Sequence, residues 1–408
     1  MIRRRTIKPV RLSLFQNSEM VKSKSGPWKM CWEDWSVISM KNTYGNSITV
    51  TLFGESHGNQ IGAVIDGLAP GVEIDFDFIN HQLNLRKPHG RISTQRVEAD
   101  EPNIVSGIFD GKTTGTPICI LFENQNTKSK DYSKTKDLMR PGHADYTAIQ
   151  KYHGFADYRG GGHFSGRLTT PIVAAGAILI KALQKKGIFI GSHIQKCGPV
   201  EDKKFTDYQA EIAKVNDLTF PVLDEIAAAQ MYQYIEQVAA EGDSVGGILE
   251  TVVVGMPAGV GEPWFDTMES MLTHAIFSVP AVKGMEFGAG FGFADMKGSE
   301  GNDAFRMDGE RIVTKTNHNG GINGGITNGM PISFRTVIKP TPSIYKKQET
   351  VDVANMENTE LQIEGRHDPA IIHRARVVVD SMVAIVLADM LALRYGTDWL
   401  GEETKTCE

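Results

Sequence analysis

Two short runs near residue 50 alternate apolar and polar positions. Ile48, Val50 and Leu52 interleave with Ser47, Thr49 and Thr51, and after a polar Gly-containing turn Ile61, Ala63 and Ile65 alternate again. Period two on both sides of a turn predicts a β-hairpin, ended by Ala69-Pro70-Gly71. From Asp75 to Leu85 the period changes. Phe78, Ile79, Leu83 and Leu85 make one helical face, and Asp75 stands where a cap is needed. Between Arg140 and Gly187 the pattern predicts a helix, a Gly-rich loop, and a second helix from about Leu168 to Lys186.

Two mostly polar helices are expected between about 200 and 241, broken at Pro221. The run "GGILETVVVGM" then reads as a strand and Phe265 to Phe277 as a helix, whereas 280–343 reads as loop-dominated. A long apolar helix is predicted from Pro369 to Tyr395, stopped by Gly396. Asp368, followed by Pro369, has the form of its N-cap. Strands and helices mix without a βαβ rhythm, so the fold class is α+β, a single large domain with long Gly-rich loops. The expected organisation is an extension over 1–39, one domain over 40–398 and a polar tail over 399–408. The extension is basic, with no acid before Glu19. It is expected to be a disordered segment or to follow from an upstream start codon, with an organellar presequence as the alternative.

Composition narrows the function classes. The chain has 43 Lys and Arg against 49 Asp and Glu, a net charge of −6, which gives no global attraction to nucleic acid or an anionic membrane. An anionic substrate must therefore meet a local basic cleft. The four cysteines (Cys31, Cys119, Cys197, Cys407) are scattered without a C-x-x-C, so neither a disulfide framework nor a metal site is expected. Val377 to Leu393 is the most apolar stretch, but Asp380 and Asp389 interrupt it, which predicts a buried helix and no membrane span.

Candidate chemistry lies in the loops. Gly54-Glu55-Ser56-His57-Gly58 fits G-x-S-x-G, the nucleophile elbow of serine hydrolases. That elbow needs a strand-to-helix turn. Here a second strand follows, so Ser56 is not expected to be a nucleophile. "RGGGHFSGR" (Arg159 to Arg167) leads into a helix, where backbone N–H groups favour an anion or a flavin. Arg167-Leu168 replaces the Lys-Ser/Thr of an ATP-binding P-loop. No Gly-rich run matches a Rossmann site. Arginines at 86, 91, 96, 140, 159, 167 and 366 accompany these loops and suit carboxylate or phosphate. His57 and His143, in Gly-flanked turns, are candidate acid–base groups.

Taken together, "FGESHG", "RISTQR", "RPGHADYTAIQKYHGFADYRGGGHFSGR", "VPAVKGMEFGAGF", "NHNGGINGGITNG", "KPTPS" and "GRHDP" closely resemble the chorismate synthase family, in order, from about Met40 to Gly396. The resemblance implies an anti-1,4-elimination of phosphate from 5-enolpyruvylshikimate-3-phosphate to give chorismate in the shikimate pathway. Reduced FMN is required although there is no net redox change. It also implies a β-α-β sandwich and a homotetramer, while the scattered cysteines suit a cytoplasmic location. NADPH would enter only through an intrinsic flavin reductase; the lack of a Rossmann fingerprint favours an external one. By position, the resemblance makes His57, His143 and Asp368 catalytic. It assigns Ser56, Arg86, Arg91, Arg140, Arg167 and Arg366 to the substrate. FMN would fall to His163, Phe164, Ser165, Pro280, Ala281, Gly324, Lys339, Pro340, Thr341, Pro342, Ser343 and Arg366. Many family members have Arg-Ser where this chain has His163-Phe164, which removes a fixed charge from the flavin site. The alternative is a flavin- or phosphate-binding protein without catalysis.

Overall fold

The structure, a computed structural model, describes residues 41–93, 99–125, 136–363 and 368–401. The expected extension over 1–39, Arg96 and Arg366 lie outside the described residues.

β1 (Thr43–Tyr44) and β2 (Thr49–Gly54) lead into β3 (Gln60–Asp66). The alternating runs pair as the predicted hairpin, with Val50 opposite Ile65 and Leu52 opposite Ala63. α1 (Phe76–Arg86) begins as expected: Asp75 accepts a hydrogen bond from the Phe78 N–H at 2.9 Å. β4 (Asn103–Ser106), a hairpin of β5 (Ile108–Phe109) and β6 (Lys112–Thr113), and β7 (Ile118–Glu123) follow. The first sheet has the antiparallel order β1-β2-β3-β7-β4.

α2 (Asp145–Tyr152) and α3 (Thr169–Lys185) bracket the Gly-rich loop. Next come β8 (Phe189–Cys197), β9 (Val200–Glu201), the two polar helices α4 (Tyr208–Asn216) and α5 (Glu225–Ala240), and β10 (Gly247–Val254). α6 (Met268–Ile276) precedes β11 (Val282–Phe287) and the single turn α7 (Gly298–Gly301). The hairpins β12 (Phe305–Asp308) with β13 (Arg311–Thr314) and β14 (Ile322–Asn323) with β15 (Ile326–Thr327) lead to β16 (Ile332–Ile338). A last hairpin, β17 (Gln348–Asp352) and β18 (Glu357–Leu361), precedes α8 (Ile372–Tyr395). The second sheet has the antiparallel order β11-β16-β10-β8-β9.

Two expectations are corrected. The stretch 280–343 is not loop-dominated, because β11 and β16 both belong to the second sheet. Ile332, Phe334, Thr336 and Ile338 of β16 are buried at alternate positions, a strand signal framed by Gly, Asn and Pro. Nor does Asp368 cap α8. The helix starts at Ile372 with Ile371 at the cap position, and the Asp368 carboxylate instead accepts from Arg374 Nη1 at 2.7 Å. At the other end, the 3-10 turn Thr397–Leu400 crosses the expected boundary at 398 and buries Leu400.

α3 and α8 pack on each other between the two sheets, α3 against β2, β3 and β7 and α8 against β8 and β10. A helix apolar all round is a buried one. By length and composition Arg159–Lys185 could cross a membrane, yet 83% of its most apolar stretch is buried inside the protein. The acids in α8 are satisfied locally. Asp389 accepts from the backbone N–H groups of Asn46, Ser47 and Ile48 at 3.0, 2.7 and 2.9 Å, tying α8 to the start of the first sheet. Asp380 accepts from Ser192 Oγ at 2.5 Å and from Arg376 at 3.2 Å.

The crossing of α3 and α8 depends on Gly176. A Cβ there would lie 2.3 Å from Ser381 Cβ and 2.6 Å from its Cα, so the helices would have to separate. Gly176→Ala should therefore destabilise the fold by about 1–3 kcal/mol, measured by chemical denaturation.

In the second sheet, buried His193 lies between Asp202 (2.9 Å from Nδ1) and Glu250 (2.8 Å from Nε2). Burial opposes its charge, but the two carboxylates outweigh burial and raise its pKa above 6.5. A raised folded pKa contributes stability that is fully present below the unfolded value and is lost as pH rises through the folded one. Denaturation midpoints should accordingly fall above pH 6.5 in the wild type. His193→Gln should remove this component of the pH dependence.

Candidate active site

The β2–β3 hairpin turn carries Ser56 and His57, both buried. Asn124 Nδ2 pins the turn by donating to the carbonyls of Glu55 and Gly58 at 3.0 and 2.9 Å. The Gly-rich loop closes over it: the Ser56 N–H donates to the Gly162 carbonyl at 3.1 Å. Gly160, Gly161 and Gly162 all have positive φ. A Cβ on Gly160 would stand 2.2 Å from His57 Cε1, 2.3 Å from Nδ1 and 2.7 Å from Ser56 Oγ. This glycine is thus required for backbone to pack against the imidazole.

Ser56 Oγ lies 3.1 Å from His57 Nδ1, and also within reach of the carbonyls of Arg159 (3.2 Å) and Gly160 (3.0 Å). Those carbonyls only accept, so the hydroxyl can donate to backbone, while β3 follows the turn in place of a helix. Ser56 is a holder of the turn, in line with the hydrolase exclusion.

Ser56 and His57 line a cavity of about 330 Å³ with Arg86, Lys87, Asp100, Ser165, Arg167, Pro280, Asp368 and Arg374. The end of α1 supplies Arg86, the start of α3 places Arg167 and the first turn of α8 brings Arg374. Four cationic side chains (Arg86, Lys87, Arg167, Arg374) thus face two carboxylates (Asp100, Asp368). Such a lining favours a polyanion despite the negative net charge of the chain.

Asp100 joins two of these cations. One carboxylate oxygen accepts from Arg86 Nη2 at 2.7 Å and the other from Arg167 Nη1. Burial alone would raise the Asp100 pKa, but the two guanidiniums outweigh burial and hold it below the usual carboxylate range. Arg167 is anchored further by Asn124 Oδ1 (3.0 Å), Thr170 Oγ1 (3.2 Å) and the Glu123 carbonyl (3.1 Å). Arg86 Nη1 reaches Thr169 Oγ1 at 3.4 Å, while its buried Nε has no partner among the described residues. Arg374 Nε donates to the Arg86 carbonyl at 2.9 Å. Next to it, burial and then the Arg374 charge lower the His373 pKa to about 3, so this imidazole is neutral beside Ser93 Oγ, 2.9 Å away.

A second cluster joins two other predicted segments. His143 Nε2 meets Ser343 Oγ at 2.8 Å, and Lys339 Nζ donates to the Gly142 carbonyl at 2.7 Å. Arg140 holds Asp145 through Nε and Nη2, both at 2.7 Å. The Lys339 N–H donates to the Ala281 carbonyl at 2.9 Å, which links this cluster to Pro280 on the cavity wall. In the same strip Pro342 packs against Gly142, Pro340 against Gly246, and the Thr341 carbonyl accepts from Ser244 Oγ at 2.6 Å. The buried Thr341 Oγ1 has no partner among the described residues.

The predicted residues therefore divide. Ser56, His57, Arg86, Ser165, Arg167, Pro280 and Asp368 share the cavity. Arg140, His143, Ala281 and Lys339 to Ser343 form the adjoining cluster. His163 borders the hairpin through Nδ1 and the Gly54 carbonyl (2.8 Å), and half-exposed Phe164 packs edge-on to Tyr152. Arg91 and Gly324 do not line the cavity: Arg91 is exposed, its N–H on the Tyr232 hydroxyl at 3.2 Å, and Gly324 is exposed in the β14–β15 turn. Arg366 falls outside the described residues. Sequence reasoning did not single out Asp100 and Arg374 as site residues. Arg374 had one available signal, a charge inside the start of an apolar helix; Asp100 had none.

Comparison with known proteins identifies the family. The family profile described as chorismate synthase matches residues 48–392. The chorismate synthase of Pyrococcus abyssi is 49% identical over 350 residues, spanning 86% of this chain and 97% of that protein. That of Dehalococcoides mccartyi strain BAV1 is 47% identical over 360 residues, 88% of this chain and 98% of the relative. A solved crystal structure of chorismate synthase superposes with a TM-score of 0.68 at 28% identity, covering 86% of this chain and 94% of that one.

Proposed function

This chain belongs to the chorismate synthase family, and from that premise we propose that it eliminates phosphate from 5-enolpyruvylshikimate-3-phosphate to form chorismate, with reduced FMN as cofactor. The observation that carries the reading is the cavity itself, where a buried Ser56–His57 pair meets four cations in about 330 Å³. The substrate has two carboxylates and a phosphate, three anionic groups for such a lining to neutralise.

The residues present fit the flavin. The strip Lys339 to Ser343 offers a buried hydroxyl at Thr341 without a partner among the described residues, and its backbone bond to Ala281 joins it to the cavity wall. Ser165, Pro280, Ala281 and Lys339 to Ser343 would hold FMN, with His143 beside them. When bound, the reduced flavin supplies electron density that eases departure of the phosphate, without net redox change.

The chain's own residues do the rest. Arg86, Lys87, Arg167 and Arg374 bind and orient the substrate's anions. The apolar wall of Pro88, Val279, Ile371, Ala375 and Val378 limits water, which strengthens every charge interaction inside. His57, oriented by Ser56 and Gly160, donates to the departing phosphate as hydrogen-bond donor or general acid. Asp368, held by Arg374, and His143 manage protonation at the flavin. On this reading the protein works as a cytoplasmic lyase, a homotetramer supplied with reduced flavin by a separate reductase.

The test is anaerobic. Phosphate release should occur with chemically reduced FMN and not with oxidised FMN. Oxidised FMN with NADPH should also fail, and product in that sample would overturn the external supply of reductant. Release that is indifferent to the flavin's redox state would overturn the reading itself.

A further inference from the structure

The pairing of Arg86 and Arg167 on one carboxylate has a consequence for catalysis. Two guanidiniums in a buried cavity repel each other, and the charge of Arg167 is among the influences that disfavour protonation of Arg86, after burial itself. Asp100 counters this. Its side chain is fully buried and each of its oxygens takes a different arginine. It does so from a strained backbone, since Asp100 is a non-glycine residue at φ 51°. Residues held in that region cost about 1–3 kcal/mol and persist where their surroundings over-determine them.

Asp100 also has an effect that a binding residue would not have. A carboxylate lining an anion site lowers the local positive potential, so it works against ground-state capture of the substrate. Direct binding therefore does not explain its presence. Orientation does: with Asp100 in place, each guanidinium is fixed before the substrate arrives. We propose that Asp100 is a positioning residue, one that sacrifices substrate affinity to hold Arg86 and Arg167 in register for the elimination. The proposal rests on the functional reading above.

Asp100→Asn separates the alternatives. Asparagine keeps the size and tolerates positive φ, but it offers one acceptor oxygen and turns its amide donors toward the second guanidinium. Misplacing a binding group by about 1 Å can cost on the order of 10²-fold in rate. Turnover should fall by about tenfold or more, while substrate binding measured at equilibrium is no weaker than in the wild type. A merely structural role would instead reduce binding and turnover together, alongside the thermal midpoint.

If Asp100→Asn does not fold, Asp100→Glu keeps the charge and lengthens the arm by one methylene. It should show the same split between turnover and binding, at smaller size. Wild-type turnover in either folded variant, or parallel loss of binding and turnover, would overturn the proposal. A wild-type control that yields no chorismate marks failure of the functional reading instead. Binding of inorganic phosphate then tests the affinity part of the proposal alone: equal or tighter binding by Asp100→Asn is expected, and weaker binding overturns it.

Discussion

His57→Ala should cut turnover by about 10²-fold or more, the loss expected when a positioned acid–base group is removed. The imidazole is buried on the cavity wall, with Ser56 Oγ 3.1 Å from Nδ1 and the Gly160 backbone packed against its ring. Its substitution removes a proton donor and leaves in place the Asp100 carboxylate that holds Arg86 and Arg167. Substrate binding should therefore change much less than turnover, and the purified variant should unfold near the wild-type midpoint. Ser56→Ala gives the contrast. Its hydroxyl faces the Arg159 and Gly160 carbonyls, so the loss should be one of orientation and smaller than that at His57. Steady-state rates with reduced flavin check both, and near-wild-type elimination by His57→Ala would remove His57 from the chemistry.

Gly160→Ala should be nearly as damaging although it adds a single methyl group. That methyl would have to sit 2.2 Å from His57 Cε1 and 2.7 Å from Ser56 Oγ, at φ 59°. Real contacts do not approach so closely, so either the imidazole rotates or the loop withdraws. A displacement of about 1 Å at a catalytic group can cost on the order of 10²-fold. Because the same loop leads into α3 and Arg167, its withdrawal would also disturb anion binding. The expected signature is a fall in turnover joined by weaker substrate binding, unlike the turnover-only loss at His57. Gly161→Ala is the control: among the described residues, a Cβ added at Gly161 meets only Ser165 Cβ, at 3.8 Å, while φ is 85°. It carries the same backbone strain without the collision with His57. Comparable losses in both variants would mean that strain, and not contact with the imidazole, governs the loop.

Much of this arrangement was legible because its signals are local. The alternation around Val50, and again from Ile61 through Ala63 to Ile65, fixes which faces of the hairpin are buried, and Asp75 caps α1 three residues before Phe78. The lengths of α3 and α8 follow from long, mainly apolar runs ended by Gly187 and Gly396. β16 was hidden by its frame, seven residues between Gly/Asn- and Pro-rich segments. β8 was hidden because it is buried on both faces, so "FIGSHIQKC" shows little alternation. Asp368 misled for a different reason. Its capping pattern is local, but the Arg374 guanidinium takes its carboxylate and α8 begins later.

The motifs drew attention to His57, Arg86 and Arg167, yet the contacts between them come from tertiary folding. Residues far apart in sequence, from the ends of α1, α3 and α8, meet at one cavity. Asp100 illustrates the limit, since an acid in a loop becomes a junction only when two distant arginines arrive.

The most direct measurement is a single turnover without oxygen, with protein and reduced FMN in excess over 5-enolpyruvylshikimate-3-phosphate. Chorismate absorbance and free phosphate are followed in the same sample. Elimination at this cavity requires both products to appear together in equal amounts, at one rate. Phosphate without chorismate would reveal hydrolysis, and neither product from folded, flavin-bound protein would mean that the chain retains the site without the reaction.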